Sequence, residues 1–255
     1  MIGATRTITS FGATDVGRKR KSNEDAFLID DALGLYVVAD GMGGHAAGEI
    51  ASQEAVETSY GMVKQGLRAL PQLLGSFTHE HARAACRLLE GAVQAATYMV
   101  YALAELDRDK SGMGTTISAL LTLGEYAVTA QVGDSRIYRI HEGLVTQITE
   151  DHTLISWQLK QGLITPEQAR HSPHRNVITR AVGNRDYVEV DTGLVMLSPG
   201  DRFLLCSDGL HGYLREDEIS VVTLLGAEEA VRRFVDIAND RGGKDNITAI
   251  LVEVE

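Results

Sequence analysis

Short apolar runs rich in β-branched residues recur along the chain, and several of them stop at an aspartate set beside a glycine. Residues 35–39 run into Asp40-Gly41, residues 203–207 into Asp208-Gly209, and residues 126–132 into Gly133-Asp134. Asp245-Asn246 immediately precedes the run 247–254, and Asn23-Glu24-Asp25 precedes the run 26–29. Runs of this length and composition read as strands. An aspartate at a strand end, with glycine permitting a sharp turn, is a rigid carboxylate aimed outward from a sheet edge. One Asp-Gly is only a turn signal; four or five at strand ends form a pattern. If they converge, their mutual repulsion requires a cation. All-oxygen donors suit a hard ion, Mg²⁺ or Mn²⁺ rather than Zn²⁺. No HExxH, no CxxC and no DxDxDG calcium loop competes for a different metal.

Further strands are expected over 115–123 and 137–140, with 135–149 reading as a hairpin and Pro199-Gly200-Asp201 as a turn. Apolar residues at helical spacing predict helices from residue 46 to about residue 70, over 79–106, and over 227–238. The later strands are joined by short turns, which requires antiparallel pairing, so the class is α+β. Residues 154–183 differ in being polar, with Gly162 and Pro166. Thr165 there looks like an N-cap with Pro166 at the first helical position. This stretch reads as a flap inserted in one domain spanning residues 1–255. Trp157, the sole tryptophan, is expected to pack the flap base.

Composition narrows the function. Hydrophobic residues make up 44% and charged residues 23%, which excludes disordered, collagen-like and coiled-coil classes. Lys and Arg number 24 against 35 Asp and Glu, a net charge of −11, where a nucleic-acid binder shows a basic surplus. No apolar run approaches the roughly 18 residues of a membrane span, and the N-terminus lacks the apolar core of a secretory signal. With only Cys86 and Cys206 there is no disulfide framework, and a reducing compartment, the cytoplasm, is expected. The glycine-rich stretch 40–49 also matches a dinucleotide fingerprint. That reading is weakened by Asp40, which would face a pyrophosphate, and by the lack of βαβ alternation.

The ordered set of motifs resembles the bacterial type-2C, metal-dependent protein serine/threonine phosphatases. The matching blocks are Arg20-x-x-Asn23-Glu24-Asp25, DGMGGHAAGEIAS from Asp40, Gly114-Thr115-Thr116 and Val132-Gly133-Asp134-Ser135-Arg136. Asp151-His152-Thr153, Ile178-Thr179-Arg180-Ala181-x-Gly183, Ser207-Asp208-Gly209-Leu210 and Asp245-Asn246-Ile247-Thr248 follow in the same order.

The resemblance implies a sandwich of two antiparallel β-sheets flanked by pairs of antiparallel α-helices, with a small flap. It implies that Asp40 bridges two Mn²⁺ or Mg²⁺ ions, that the Gly41 carbonyl binds one, and that Asp208 and Asp245 complete the other. Glu24 and Asp25 act through metal-bound waters, Asp134 holds a third, weaker ion, and Arg20 grips the phosphate. A water or hydroxide bridging the two ions attacks phosphorus directly. The implied substrates are phosphoserine and phosphothreonine in proteins, and the implied partner is a serine/threonine kinase whose action the enzyme reverses. No nucleic acid or membrane is involved, and a monomer is expected. The chain departs from many animal members by carrying Met42 after the first Asp-Gly, where they have a histidine thought to protonate the leaving group. His45 is the candidate substitute, with a loop-lining role as the alternative.

Other chemistries read less well. A cysteine phosphatase needs an arginine six positions after the cysteine, where this chain has Ala92 and Gly212. A non-catalytic phosphopeptide-binding relative is disfavoured because Arg20, Asp25, Asp40, Asp208 and Asp245 are all present. Arg136 is expected to form a structural salt bridge. Arg180, with Arg175, belongs to a local basic run that is either a solvated face or a phosphopeptide contact.

Overall fold

The computed structural model describes residues 7–43, 47–174 and 176–255. Strands β1 (Ile8–Asp15), β2 (Asp25–Asp30) and β3 (Leu35–Met42) lead into helices α1 (Ala47–Ala69) and α2 (His79–Leu106). Next come β4 (Gly114–Thr115), β5 (Ile117–Leu123), β6 (Tyr126–Val132), β7 (Arg136–His141) and β8 (Leu144–Gln147). Helices α3 (Leu154–Lys160) and α4 (Pro166–Arg170) precede β9 (Asp191–Met196) and β10 (Arg202–Cys206). The chain ends with α5 (Asp208–His211), α6 (Glu216–Val222), α7 (Ala227–Asp240) and β11 (Ile247–Val254).

The strands form two sheets, ordered β1-β11-β10-β7-β8 and β2-β3-β5-β6-β9, with β4 paired to the end of β3. Every pairing among the named strands is antiparallel. A dinucleotide-binding βαβ unit needs a parallel pair, so the glycine-rich stretch 40–49 has another purpose.

Alternation along the strands sorts side chains between layers, as the two-residue period of a pleated strand dictates. Leu35, Val37 and Ala39 of β3 face the α1/α2 hairpin, whereas Tyr36 and Val38 face the opposite sheet. Leu204 and Cys206 of β10 face α7, and Phe203 and Leu205 turn inward to meet Ile250 and Val252 of β11. The result is four layers, helix–sheet–sheet–helix. The helical layers are unequal: α1 and α2 pair along one sheet, while α7 covers the other with only the short α5 and α6 beside it.

Three features depart from the sequence expectation. The run 115–123 is cut at Thr116, which separates β4 from β5. β1 and β9 are edge strands with one half-exposed face, so they lack the apolar density that marked the others. Trp157 is 51% exposed on α3 and does not form a buried flap base.

The segment 154–183 does start a helix at Thr165. Its Oγ1 accepts from the Gln168 N–H, and the Gln168 side chain accepts from the Thr165 N–H, a reciprocal cap with Pro166 following. Backbone bonds from Leu154 N–H to the Val177 carbonyl and from Thr179 N–H to the His152 carbonyl, 2.8 Å each, close the segment on itself.

Candidate metal and phosphate site

Antiparallel register carries the strand-end acids to one end of the sandwich. Asp25 opens β2 and lies directly across from Asp40 near the end of β3. β10 ends at Cys206 opposite Ala249 of β11, which sets Asp208 next to the Asp245-Asn246 turn. The two sheets are joined here: Ser207, just after β10, and Thr248 of β11 donate to Asp25 Oδ2 at 2.8 and 2.6 Å.

The Gly114-Thr115-Thr116 block fixes Asp40. Its N–H donates to Thr116 Oγ1, and its carbonyl accepts from the Thr116 N–H and from Thr115 Oγ1, all at 2.9 Å. That use of Thr116 is what interrupts the long strand. Gly41 is required by close approach: a methyl group there would overlap the carbonyl oxygens of Gly48 and Glu24. A methyl on Gly209 would likewise overlap the Asn246 carbonyl oxygen. Asn246 in turn accepts from the Glu24 N–H at 2.8 Å and donates to the carbonyls of Val16 and Ser22. These glycines thus serve backbone packing around carboxylates.

Burial and mutual repulsion act on the acids together. Burial, opposed by the Thr248 and Ser207 hydroxyls and reinforced by Asp208 and Asp245, pushes the Asp25 carboxyl up to about 7. Asp40 is held well above the usual carboxylate range, first by burial and then by Asp25 and Asp208. Burial and Asp245 raise Asp208, whose side chain is within hydrogen-bonding reach of Asp40. Asp134 is pushed up to about 7 by burial and by Asp208. Burial also raises Glu24. Adjacent buried carboxyls cannot all ionise without a counter-charge.

Arg20 is half exposed and donates from Nη2 to Asp245 Oδ2 at 2.7 Å. The residue expected to grip phosphate is therefore paired with a predicted metal ligand. Asp134 sits on the far side, where His211 Nε2 donates to its backbone carbonyl at 2.9 Å. An open cleft of about 800 Å³ runs from Asp134, Asp208 and Asp245 toward α3 and α4.

The residues fit a hard divalent cation. Asp25 Oδ1 is buried with no hydrogen-bond partner, although its other oxygen receives two hydroxyls. An orphaned carboxylate oxygen among raised acids is the arrangement a cation or its water shell satisfies. Among the described residues, no three His, Cys, Asp or Glu side chains close into a cage around an ion. Mg²⁺-like ions keep several waters and take only one or two carboxylates, so an open donor set suits them.

The remaining expectations divide. Arg136 is structural: its guanidinium engages both Asp151 oxygens at 2.6–3.1 Å. Arg180 is held by Asp191 at 2.7 Å and Glu189 at 2.8 Å, which leaves it in a framework role. His152 accepts from the Gly133 N–H on Nδ1 and meets Asp191 through Nε2, so it ties the Gly133-Asp134 turn to the start of β9. His45 and Arg175 lie outside the described residues. Ser207, Thr248, Thr116 and Asn246 had no role assigned from sequence. Ser207 and Asn246 adjoin Asp208 and Asp245 in the sequence, but the acids supported by Thr116, Ser207 and Thr248 lie 76 or more positions away.

A family profile described as Protein phosphatase 2C matches residues 16–252. The serine/threonine phosphatase stp of Listeria innocua is 38% identical over 245 residues, covering 94% of this chain and 93% of its own. Among solved structures, the Mycobacterium tuberculosis serine/threonine phosphatase PstP/Ppp superposes with a TM-score of 0.84 at 34% identity, covering 97% of this chain and 99% of that one. A second structure, the catalytic domain of PstP in complex with two manganese ions, gives 0.83 at 32% identity, covering 98% and 99%.

Proposed function

Since the chain belongs to the protein phosphatase 2C family and is a protein serine/threonine phosphatase, we propose that its strand-end acids bind two Mn²⁺ or Mg²⁺ ions and that Arg20 holds the phosphoryl group of the substrate. Asp40, the Gly41 carbonyl, Asp208 and Asp245 are the direct ligands in this reading. Asp25 and Glu24 act through ordered water, and Asp134 serves a third, weaker site. The orphaned Oδ1 of Asp25 is the observation that carries the proposal. When bound, the ions supply a water that is nucleophilic at neutral pH and charge to offset a phosphate dianion.

The chain's own groups do the rest. Ser207 and Thr248 fix the Asp25 carboxylate in one rotamer. The Thr115 and Thr116 bonds hold the Asp40 peptide against movement. Arg20 offers a planar fork to phosphoryl oxygens, a charge-assisted interaction that strengthens as charge shifts in the transition state. It would reach the phosphate by leaving Asp245, whose carboxylate would then be free to hold a cation.

In the cell the enzyme removes phosphate from phosphoserine and phosphothreonine proteins and opposes a serine/threonine kinase in the cytoplasm. Among the described residues no helix is long and apolar enough to cross a membrane. The chain works as one phosphatase domain and a monomer, with residues 154–183 as its flap.

The test is hydrolysis of a phosphothreonine peptide with Mn²⁺, with EDTA, and by Asp208→Asn. Activity is expected only in the Mn²⁺-loaded wild type. Turnover that survives chelation, or the substitution, overturns the two-ion reading.

A further inference from the structure

We infer that the loop between β1 and β2 forms a basic rim that selects phosphorylated segments rich in flanking carboxylates or further phosphates. The inference deepens the phosphatase reading and rests on it. Arg18-Lys19-Arg20-Lys21 is the only place in the sequence where three or more cations are consecutive, in a chain of net charge −11. All four side chains are exposed.

The rim is fixed in place beside the acids. The Arg18 N–H donates to the Gly243 carbonyl at 2.7 Å, and Arg20 reaches Asp245. The loop thereby lies on the 243–245 turn, where exposed Lys244 adds a cation and lines the cleft. That turn is itself anchored, because the Lys244 N–H donates to the Tyr213 hydroxyl at 3.2 Å. Among the described residues, Arg18, Lys19, Lys21 and Lys244 form no ion pair, whereas Arg20 pairs with Asp245. At the opposite end of the cleft, exposed Arg170 of α4 also lines the wall without an ion pair.

Like charges this close repel one another, and among the described residues only Arg20 of the four is paired with an acid. A cationic rim above a cation-filled floor is complementary to a polyanionic peptide. The phosphorylated residue enters the floor, and neighbouring carboxylates or phosphates meet the rim. Each solvent-exposed pair changes affinity by about two- to fivefold and is screened by salt. Three or four such pairs together give selectivity of about eightfold or more at low ionic strength.

The experiment compares three phosphothreonine peptides of equal length, flanked by four Glu, four Gln or four Lys, with Mn²⁺-loaded enzyme. In wild type kcat/KM should fall in that order, with a Glu-to-Lys ratio of about ten or more at low salt that shrinks severalfold at high salt. In R18Q/K19Q/K21Q the ratio should drop below about three, while p-nitrophenyl phosphate, which carries no flanking residues for Arg18, Lys19 and Lys21 to meet, is turned over as by wild type. A ratio near one in wild type, or one that salt leaves untouched, overturns the inference even if the triple variant fails to fold. So does an unchanged ratio in a folded triple variant. Association with phosphatidylglycerol vesicles without any flank preference assigns the rim to a membrane and overturns it as well. Loss of hydrolysis of every substrate by Mn²⁺-loaded wild type instead refutes the phosphatase reading beneath it.

Discussion

The acid cluster should make the metal-free protein less stable as pH rises, and Asp25→Asn should remove much of that dependence. Asp25 is pushed up to about 7 from an ordinary 3.8, chiefly by burial. A carboxyl raised in the folded state binds its proton more tightly there than in the unfolded chain. Its stabilising contribution is complete below the unfolded value and disappears as pH rises through the folded value. Between pH 5.5 and 7.5 a single group with these two values loses about 2 kcal/mol. For a chain of this size that corresponds to about 4–8 °C in Tm. Histidine acts in the opposite sense: His211, lowered by burial to about 4, must gain a proton on unfolding, which adds about 1 kcal/mol over the same interval. The wild-type curve sums Asp25 with the other raised acids, Asp40, Asp134 and Asp208, against this histidine, so the informative quantity is wild type minus Asp25→Asn. Asparagine keeps an oxygen for the Ser207 and Thr248 hydroxyls, so the fold survives, and it lowers rather than raises the neighbouring acids. Thermal unfolding in EDTA at the two pH values should show the difference shrinking by about 2 kcal/mol from pH 5.5 to 7.5. With saturating Mn²⁺, which takes the place of the protons, this slope should vanish or reverse. Parallel curves for the two proteins in EDTA would refute the reasoning.

Gly41→Ala places a methyl against two backbone carbonyls that cannot swing aside. Overpacking of this kind costs about 1–3 kcal/mol; a lowered Tm and a loss of Mn²⁺ binding by calorimetry should appear together, and wild-type values for both would show that the contact is not tight. Arg20→Ala should separate metal binding from catalysis. Removing the half-exposed partner of Asp245 should tighten Mn²⁺ binding by about two- to fivefold, while kcat/KM on a phosphothreonine peptide falls about a hundredfold with the lost charge-assisted bonds; weaker Mn²⁺ binding would contradict the competition between arginine and cation.

The parts of the fold legible in the sequence are those where a residue's burial is set by its own strand or helix. β3, β5, β6, β10 and β11 are buried on both faces, so they announced themselves as continuous apolar runs. β1 and β9 escaped because an edge strand with one wet face carries half the signal, and β1 includes Gly12 as well. The break at Thr116 was illegible for a different reason. Nothing local ends that strand; a residue 76 positions away needs its hydroxyl. The same holds for Ser207 and Thr248, whose partner Asp25 is brought within reach only by the packing of two sheets. The acids could be named from sequence because chemistry needs carboxylates at strand ends. Their supports could not, since hydroxyls are common and only tertiary geometry distinguishes these.

The acidic excess of the chain also takes on an internal structure. Two of the segments that contribute acids to the floor of the site begin with cations: Arg18–Lys21 precede Glu24 and Asp25, and Lys244 precedes Asp245. A strand of an antiparallel sheet starts at the sheet edge, and the turn before it stands outside that edge. Residues at the strand start are therefore buried against the neighbouring strand, as Asp25 is against Asp40, and those a few positions earlier project to the rim, as Arg18–Lys21 do. The order cation-then-acid along the chain is thus converted by the strand start into cation-above-acid in space. Without metal the two layers neutralise each other, as the Arg20–Asp245 pair shows. In the proposed reading, divalent ions would balance the floor and free Arg20 to join the unpaired cations of the rim. Metal loading and attraction of a polyanionic segment would then be one electrostatic event, and salt-dependent binding of an acidic phosphopeptide, read by fluorescence anisotropy, should be strong with Mn²⁺ and weak in EDTA.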